Sequence, residues 1–209
     1  PQCPGQVMVN NPFWVQPIST WTQRMRDWVA KADSDSLLNL AISIDAYPVA
    51  GNKALFKTSR NWLLRELQQQ QRFLSSFAEV ALAFETPLNF LGGIRDRVAG
   101  IDVKKGGIFP IVHGVRVLAM QYQIAENNTY KRIESLIKLG VLPQRLGSEL
   151  MESFSILQWF RLAHHLNQQE RDFSTEDLNN DVNLSALDRL EKDLLRQSFQ
   201  VVKDFKKHL

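Results

Sequence analysis

Two short stretches of this chain put chemically capable side chains where a ligand could reach them. The first is SIDAYPVAG, residues 43–51. Asp45 closes a run in which Leu38, Leu40, Ile42 and Ile44 alternate with Asn39, Ala41, Ser43 and Asp45. A period of two belongs to a strand with one buried face, so it predicts a strand over residues 37–45 with Asp45 at its carboxyl end, on the polar face. Metal-assisted phosphoryl or nucleotidyl transfer uses carboxylates on neighbouring strands to hold divalent ions that bridge a triphosphate, which makes Asp45 a candidate metal ligand. The competing reading is a strand-end residue in a turn, because Pro48 cannot donate to a ladder and Gly51 permits a reversal.

The second stretch is IDVKKGGIFP, residues 101–110. Lys104 and Lys105 precede Gly106 and Gly107, and the run leads into a helix beginning at Pro110. Backbone N–H groups, the positive end of that helix and the two ammonium groups would converge on an anion such as a phosphate. The spacing is not the GxxxxGK[ST] of a Walker A loop. The alternative is a solvated turn whose glycines supply positive φ.

Other candidates are weaker. His113, His164, His165 and His208 form neither HExxH nor HxxxH, and neighbours on a helix point about 100° apart, so core or surface histidines are the simpler reading. Trp159, Phe160, Arg161 and His164, with Arg116 and Arg132, make an aromatic and arginine population that reads as core aromatics with surface or paired arginines. There is no GxSxG, no cysteine–histidine arrangement and no dinucleotide fingerprint. A net charge of +3 with basic residues scattered among acids gives no stripe for nucleic acid. Cys3 is the single cysteine, which excludes a disulfide framework and favours a reducing cytoplasm. No apolar run approaches the roughly 20 residues that span a bilayer.

The elements that must position these residues are nearly all helical. Residues 1–17 read as an irregular loop, and Ser19 offers an N-cap for a helix to about residue 32 that buries Trp21, Met25, Trp28 and Val29. After the strand and turn, one long helical segment is expected over residues 53–84, with a polar middle at the glutamines from Gln68. Residues 86–107 read as irregular, with a small hairpin over 88–97 around Gly92–Gly93. Helices follow over 110–124, 129–139, 144 or 148 to 169, and 185–207, the last capped by Asn183 or Ser185. Short connections between amphipathic helices predict an antiparallel bundle. The start at Pro1, without Met, suggests a piece of a longer chain.

Taken in order, several segments carry a resemblance: CPGQVMVNNPFW, Trp21, Trp28, LLNLAISIDAYPVAG, IDVKKGGIFPIVHGVRVLA, Thr129 with Arg132, and FRLAHHL. Together they resemble the C-terminal portion of bacterial nucleotidyltransferases that often carry a cyclic-nucleotide-binding-type domain and a CBS pair upstream. They are distantly similar to protein-PII uridylyltransferase and glutamine-synthetase adenylyltransferase. The resemblance implies that Asp45 matches the third carboxylate of a nucleotidyltransferase site, and that Lys104, Lys105, Gly106 and Gly107 match a lysine–glycine segment facing the nucleotide. The Gly-Ser turn and Asp-x-Asp pair of that family are absent from this chain, and Tyr47 stands where many relatives have arginine.

The expected fold is mainly α, with residues 1–52 as the tail of a nucleotidyltransferase domain and 53–209 as a helical substrate-binding bundle. The expected role is the substrate-binding part of a Mg²⁺-dependent nucleotidyltransferase in signal transduction, inactive by itself. Its expected partners are a nucleoside triphosphate, a protein or small-molecule acceptor, and upstream domains of the same chain. A non-catalytic nucleotide sensor or interaction module and a homodimerising bundle are the alternatives.

Overall fold

A computed structural model describes residues 11–95, 100–169 and 178–209. Cys3, most of the leading loop and the last two residues of the expected hairpin lie outside the described residues. The chain divides into two compact units, Pro1–Ser76 and Phe77–Leu209. The fold is mainly α, as expected, with a single two-stranded antiparallel sheet among the described residues.

In the first unit, α1 (Ile18–Lys31) follows Pro17 and has no side-chain cap, so Ser19 lies inside the helix and not at its cap. It buries Met25, Trp28 and Val29, the face the sequence predicts. α2 (Ser34–Asp45) replaces the strand expected over residues 37–45. The Asp33 carboxylate accepts from the Ser36 backbone N–H and starts a helix, a device with no counterpart in a strand. Ser36, Leu40 and Ile44 are the buried positions, a spacing of four, whereas Leu38 is exposed. The alternating leucines and isoleucines satisfied both periods, and packing chose the helical one. α3 (Lys53–Gln68) begins at Asn52, whose side chain accepts from the Ala54 N–H, and buries Leu63, Leu64 and Leu67.

The single segment expected over 53–84 is two helices. Gln69 and Gln70 donate to the carbonyls of Glu66 and Leu67, tightening the last turn of α3, and α4 (Gln71–Ala83) starts afresh. The polar glutamines bury nothing that would hold a longer helix together.

The second unit carries the principal core. The strands β1 (Ile101–Asp102) and β2 (Asp181–Val182) pair with Ile101 opposite Val182 and Asp102 opposite Asp181. A π-helical turn (Lys104–Ile108) runs directly into α5 (Phe109–Gln121), so the irregular stretch expected to residue 107 is helical at its end and Pro110 lies within a continuing helix. α6 (Thr129–Lys138), α7 (Gln144–Gln169) and α8 (Arg189–Phe205) complete the bundle. Near residue 90, Leu88 and Ile94 form an isolated antiparallel bridge and Asn89 donates to the Gly93 carbonyl, 2.7 Å.

The final helix starts later than the sequence suggests. Asn183 caps a 3-10 turn (Leu184–Ala186), while α8 is started by Asp188 and Glu191 in a reciprocal capping box. That box contributes about 1 kcal/mol. Leu195, Phe199, Val202 and Phe205 are fully buried, and at roughly 1.5–3 kcal/mol each they outweigh the cap several-fold. Packing against α7 therefore decides where α8 lies.

Candidate functional site

The turn with the two lysines is built from β1 outward. Val103 donates its N–H to the Asn180 carbonyl, 3.1 Å, extending the β1–β2 pairing by one bond. Asp102 then turns back over the helix start: its Oδ1 accepts from the Lys105 N–H at 2.8 Å, and its Oδ2 lies 3.5 Å from the Lys105 ammonium. The positive end of the helix is thus already met by a carboxylate of its own chain. Ile101 and Val103 are buried beneath, and Lys104 and Lys105 are exposed.

Gly106 and Gly107 are neither solvated nor in positive φ, so the reading of a flexible surface turn does not hold. A Cβ on Gly106 would stand 2.8 Å from Pro87 Cδ, and one on Gly107 2.6 Å from Leu157 Cδ1 and 3.2 Å from Phe199 Cε1. The glycines bring the turn against α7 and α8, and the lysines ride at the rim of that contact.

Beside them opens a cleft of about 340 Å³, lined by Phe84, Asp102, Lys104, Lys105, Phe109, Asn179, Asn180 and Asp181. Phe84 and Phe109 meet edge to face at 4.9 Å. The Lys206 ammonium donates to the Phe84 carbonyl; burial pushes this lysine below the ordinary range, partly offset by the Glu85 carboxylate. Arg161 Nε donates to Asn180 Oδ1 at 2.7 Å. Asn179 Oδ1 accepts from Gln168 Nε2 and from the Asp181 N–H, each at 3.0 Å, and lies 3.0 Å from His164 Nε2. Asn179, Asn180 and Asp181 read in sequence only as a turn-forming run, and nothing in linear spacing ties them to lysines some 75 positions earlier. Arg161 and His164 thus stand behind the cleft, bonded to its lining asparagines, Phe160 is core, and Trp159 is half-exposed.

Asp45 lies in the first unit as the last residue of α2, half-buried, with Oδ1 shut off from solvent. The end of a helix carries negative partial charge, so a carboxylate there is favoured by a nearby cation. Tyr47, two residues on, is exposed.

The remaining candidates are structural. His113 is buried between Phe77 and Phe109, with ring centroids at 4.2 and 5.2 Å. Arg116 can only donate, so its contact at 3.1 Å makes Nδ1 the acceptor and leaves Nε2–H to donate to the Phe77 carbonyl at 2.8 Å. Arg132, also buried, donates from Nε to the Glu126 carbonyl at 2.7 Å and ties down the chain before α6. Among the described residues no group of three or more His, Cys, Asp or Glu side chains could hold a metal, and no helix is long and apolar enough to cross a membrane.

Comparison with known proteins gives two family matches. Residues 71–209, more than half of the chain, match a family model described as "Putative nucleotidyltransferase substrate binding domain", and residues 1–35 match one described as "Putative nucleotidyltransferase". No curated protein and no solved structure matches the chain.

Proposed function

The chain belongs to the family of putative nucleotidyltransferase substrate binding domains, and from that premise we propose that its second unit holds a nucleoside triphosphate for transfer of a nucleoside monophosphate to a protein or small-molecule acceptor. The observation that carries the reading is the cleft with Lys104 and Lys105 at its mouth and two phenylalanine rings in its wall. The rings offer apolar surface to a base, and the ammonium groups neutralise charge on the phosphates, including the charge that develops on the departing pyrophosphate. Gly106 and Gly107 serve this role from beneath, by fixing the lysine backbone against α7 and α8.

Asp102 and Asp181 line the same cleft, so its formal charge balances. A bare triphosphate would meet attraction and repulsion together, whereas a triphosphate carrying a divalent cation has both signs and suits such a wall. Mg²⁺ takes six oxygen ligands, and the described residues offer Asp45 as one carboxylate donor and no cluster that would make a full shell. In a protein that also has an upstream Asp-x-Asp pair, Asp45 would join those acids in holding Mg²⁺, which would supply Lewis-acid chemistry for the transfer. We assign the isolated chain to binding and the longer protein to transfer, in a signalling setting with upstream regulatory domains.

Titrating the chain with ATP and UTP, each with magnesium, tests the cleft. The double variant Lys104→Gln, Lys105→Gln is expected to weaken binding about tenfold, the scale of one or two lost charge-assisted contacts, without lowering the melting temperature. Unchanged affinity would sink the assignment. For the longer protein, Asp45→Ala is expected to abolish transfer; full retained activity would remove Asp45 from the site. Tyr47 favours a second reading, a nucleotide sensor without transfer, since an exposed tyrosine stands where the resembling families place arginine. Nucleotide binding by an unmodified longer protein that labels no acceptor would select the sensor.

A further inference from the structure

The asparagine side of the lysine cleft has a fixed polarity. Arg161 Nε can only donate, so its 2.7 Å contact identifies the Asn180 atom it meets as the carboxamide oxygen. The Asp181 backbone N–H does the same for Asn179, and Gln168 Nε2 gives that oxygen a second donor, each at 3.0 Å. Both amide oxygens are therefore taken up by the protein, and both NH₂ groups are left over. Asn179 is exposed, and Asn180 Nδ2 makes no hydrogen bond among the described residues yet is not shut off from solvent. Asp181 follows, half-buried, with a carboxylate that has no partner among the described residues. All three residues line the cleft together with Phe84 and Phe109. In chain order they offer a donor, a second donor and a group that only accepts.

Among the four common bases, guanine has the edge that answers this order. It carries two neighbouring acceptors, N7 and O6, followed by the N1–H and N2 amine donors. Adenine and cytosine put an amine where guanine has O6, and uracil sets a carbonyl on each side of a single N–H. We propose that the cleft selects a guanine nucleotide, an inference that rests on reading the cleft as a nucleoside triphosphate site. The base lies against the phenylalanine rings, N7 and O6 accept from the Asn179 and Asn180 amides, N1–H and the N2 amine donate to Asp181, and the phosphates reach Lys104 and Lys105. Arg161 touches no part of the nucleotide. It is a positioning residue, because its bond to Oδ1 keeps the Asn180 amide from presenting an oxygen to the base. A base with an amine in place of O6 sets donor against donor, and an unpaired polar group is what gives such sites their discrimination.

The test titrates the 209-residue chain calorimetrically with GTP, ATP, UTP and CTP, each with magnesium. GTP is expected to bind about tenfold more tightly than any of the other three, the scale of one unpaired polar contact. Asn180→Asp keeps an oxygen for Arg161 and turns the free donor into an acceptor, so the ratio of GTP to ATP affinity should fall about tenfold. The added charge acts on the phosphates of both nucleotides and cancels in that ratio. Arg161→Met should lower the same ratio in a folded protein, whereas a merely structural arginine would weaken GTP and ATP alike and leave it unchanged. If Arg161→Met does not fold, Asn180→Asp decides alone. Equal binding of the four nucleotides, or a ratio that survives Asn180→Asp, overturns the inference and leaves the cleft as a triphosphate site. Binding of none of the four overturns both.

Discussion

The two units place their candidate residues on opposite kinds of support. Lys104 and Lys105 stand on a turn pressed into a full core, with Leu157 and Phe199 directly beneath Gly107. Asp45 ends a twelve-residue helix whose neighbours Ser43 and Ala46 border an open apolar cavity. In the second unit, positioning comes from atoms that cannot move; in the first, space remains to be filled. The comparison separates two meanings of glycine. Gly107 is required by a neighbour, with ordinary helical backbone, whereas Gly51 is required by its own φ of +86° with nothing within 4 Å of where a Cβ would be.

The strongest way to break the contrast is Phe199→Ala, which removes the side chain beneath the lysine turn and is expected to cost about 3–5 kcal/mol in chemical denaturation. A loss below 1 kcal/mol would show that this core relaxes freely and does not fix the turn. Next, Gly107→Ala should destabilise by about 1–3 kcal/mol through overpacking, because Leu157 is fully buried and has little room to retreat. The same substitution at Gly51 should cost about 1 kcal/mol from backbone strain alone. Similar values for Gly107→Leu and Gly107→Ala would argue that the clash is absent, since a true clash grows with side-chain size. The smallest effect is electrostatic. Hydrogen bonds from Lys207 and then Gln200 hold the Asp204 carboxyl below the usual carboxylate range. A depressed acid contributes stability that is fully present above its unfolded value of about 3.9 and is lost as pH falls through the folded value. Because the Asp204 side chain is 41% exposed, the contribution should stay under about 1 kcal/mol, and Asp204→Asn should flatten the stability profile only on the acid side of pH 4.

The helical character of the chain and the buried face of α1 could be read from three-and-four spacing, and so could the extents of α6 and α7 to within a few residues. α2 could not, because Leu38, Leu40, Ile42 and Ile44 fit a strand as well as a helix, and only the Asp33 cap and the burial of Ser36, Leu40 and Ile44 decide between them. The lysine turn was visible as a motif, but the reason for its glycines was not. Close approach depends on Pro87, Leu157 and Phe199, which come from three distant parts of the chain. The same holds for His113 and Arg132: a titratable side chain on an amphipathic helix looks alike in sequence whether it faces water or a carbonyl. The cleft is legible from its lysine side alone, since Phe84, Phe109 and the Asn179–Asn180 pair become neighbours only when β1 and β2 pair.

The π-helical turn at Lys104–Ile108 has an evolutionary and engineering consequence. Such a turn holds one residue more than an α-helix needs, and each residue of a helix advances the azimuth by about 100°. A single-residue deletion within it would restore regular winding while swinging the preceding segment by that angle. Either the lysines would leave the cleft or the whole of α5 would rotate in its seat. A lineage that loses one codon here therefore faces a choice between its core and its ligand, and a library of one-residue deletions across 104–108 would show which of the two it keeps.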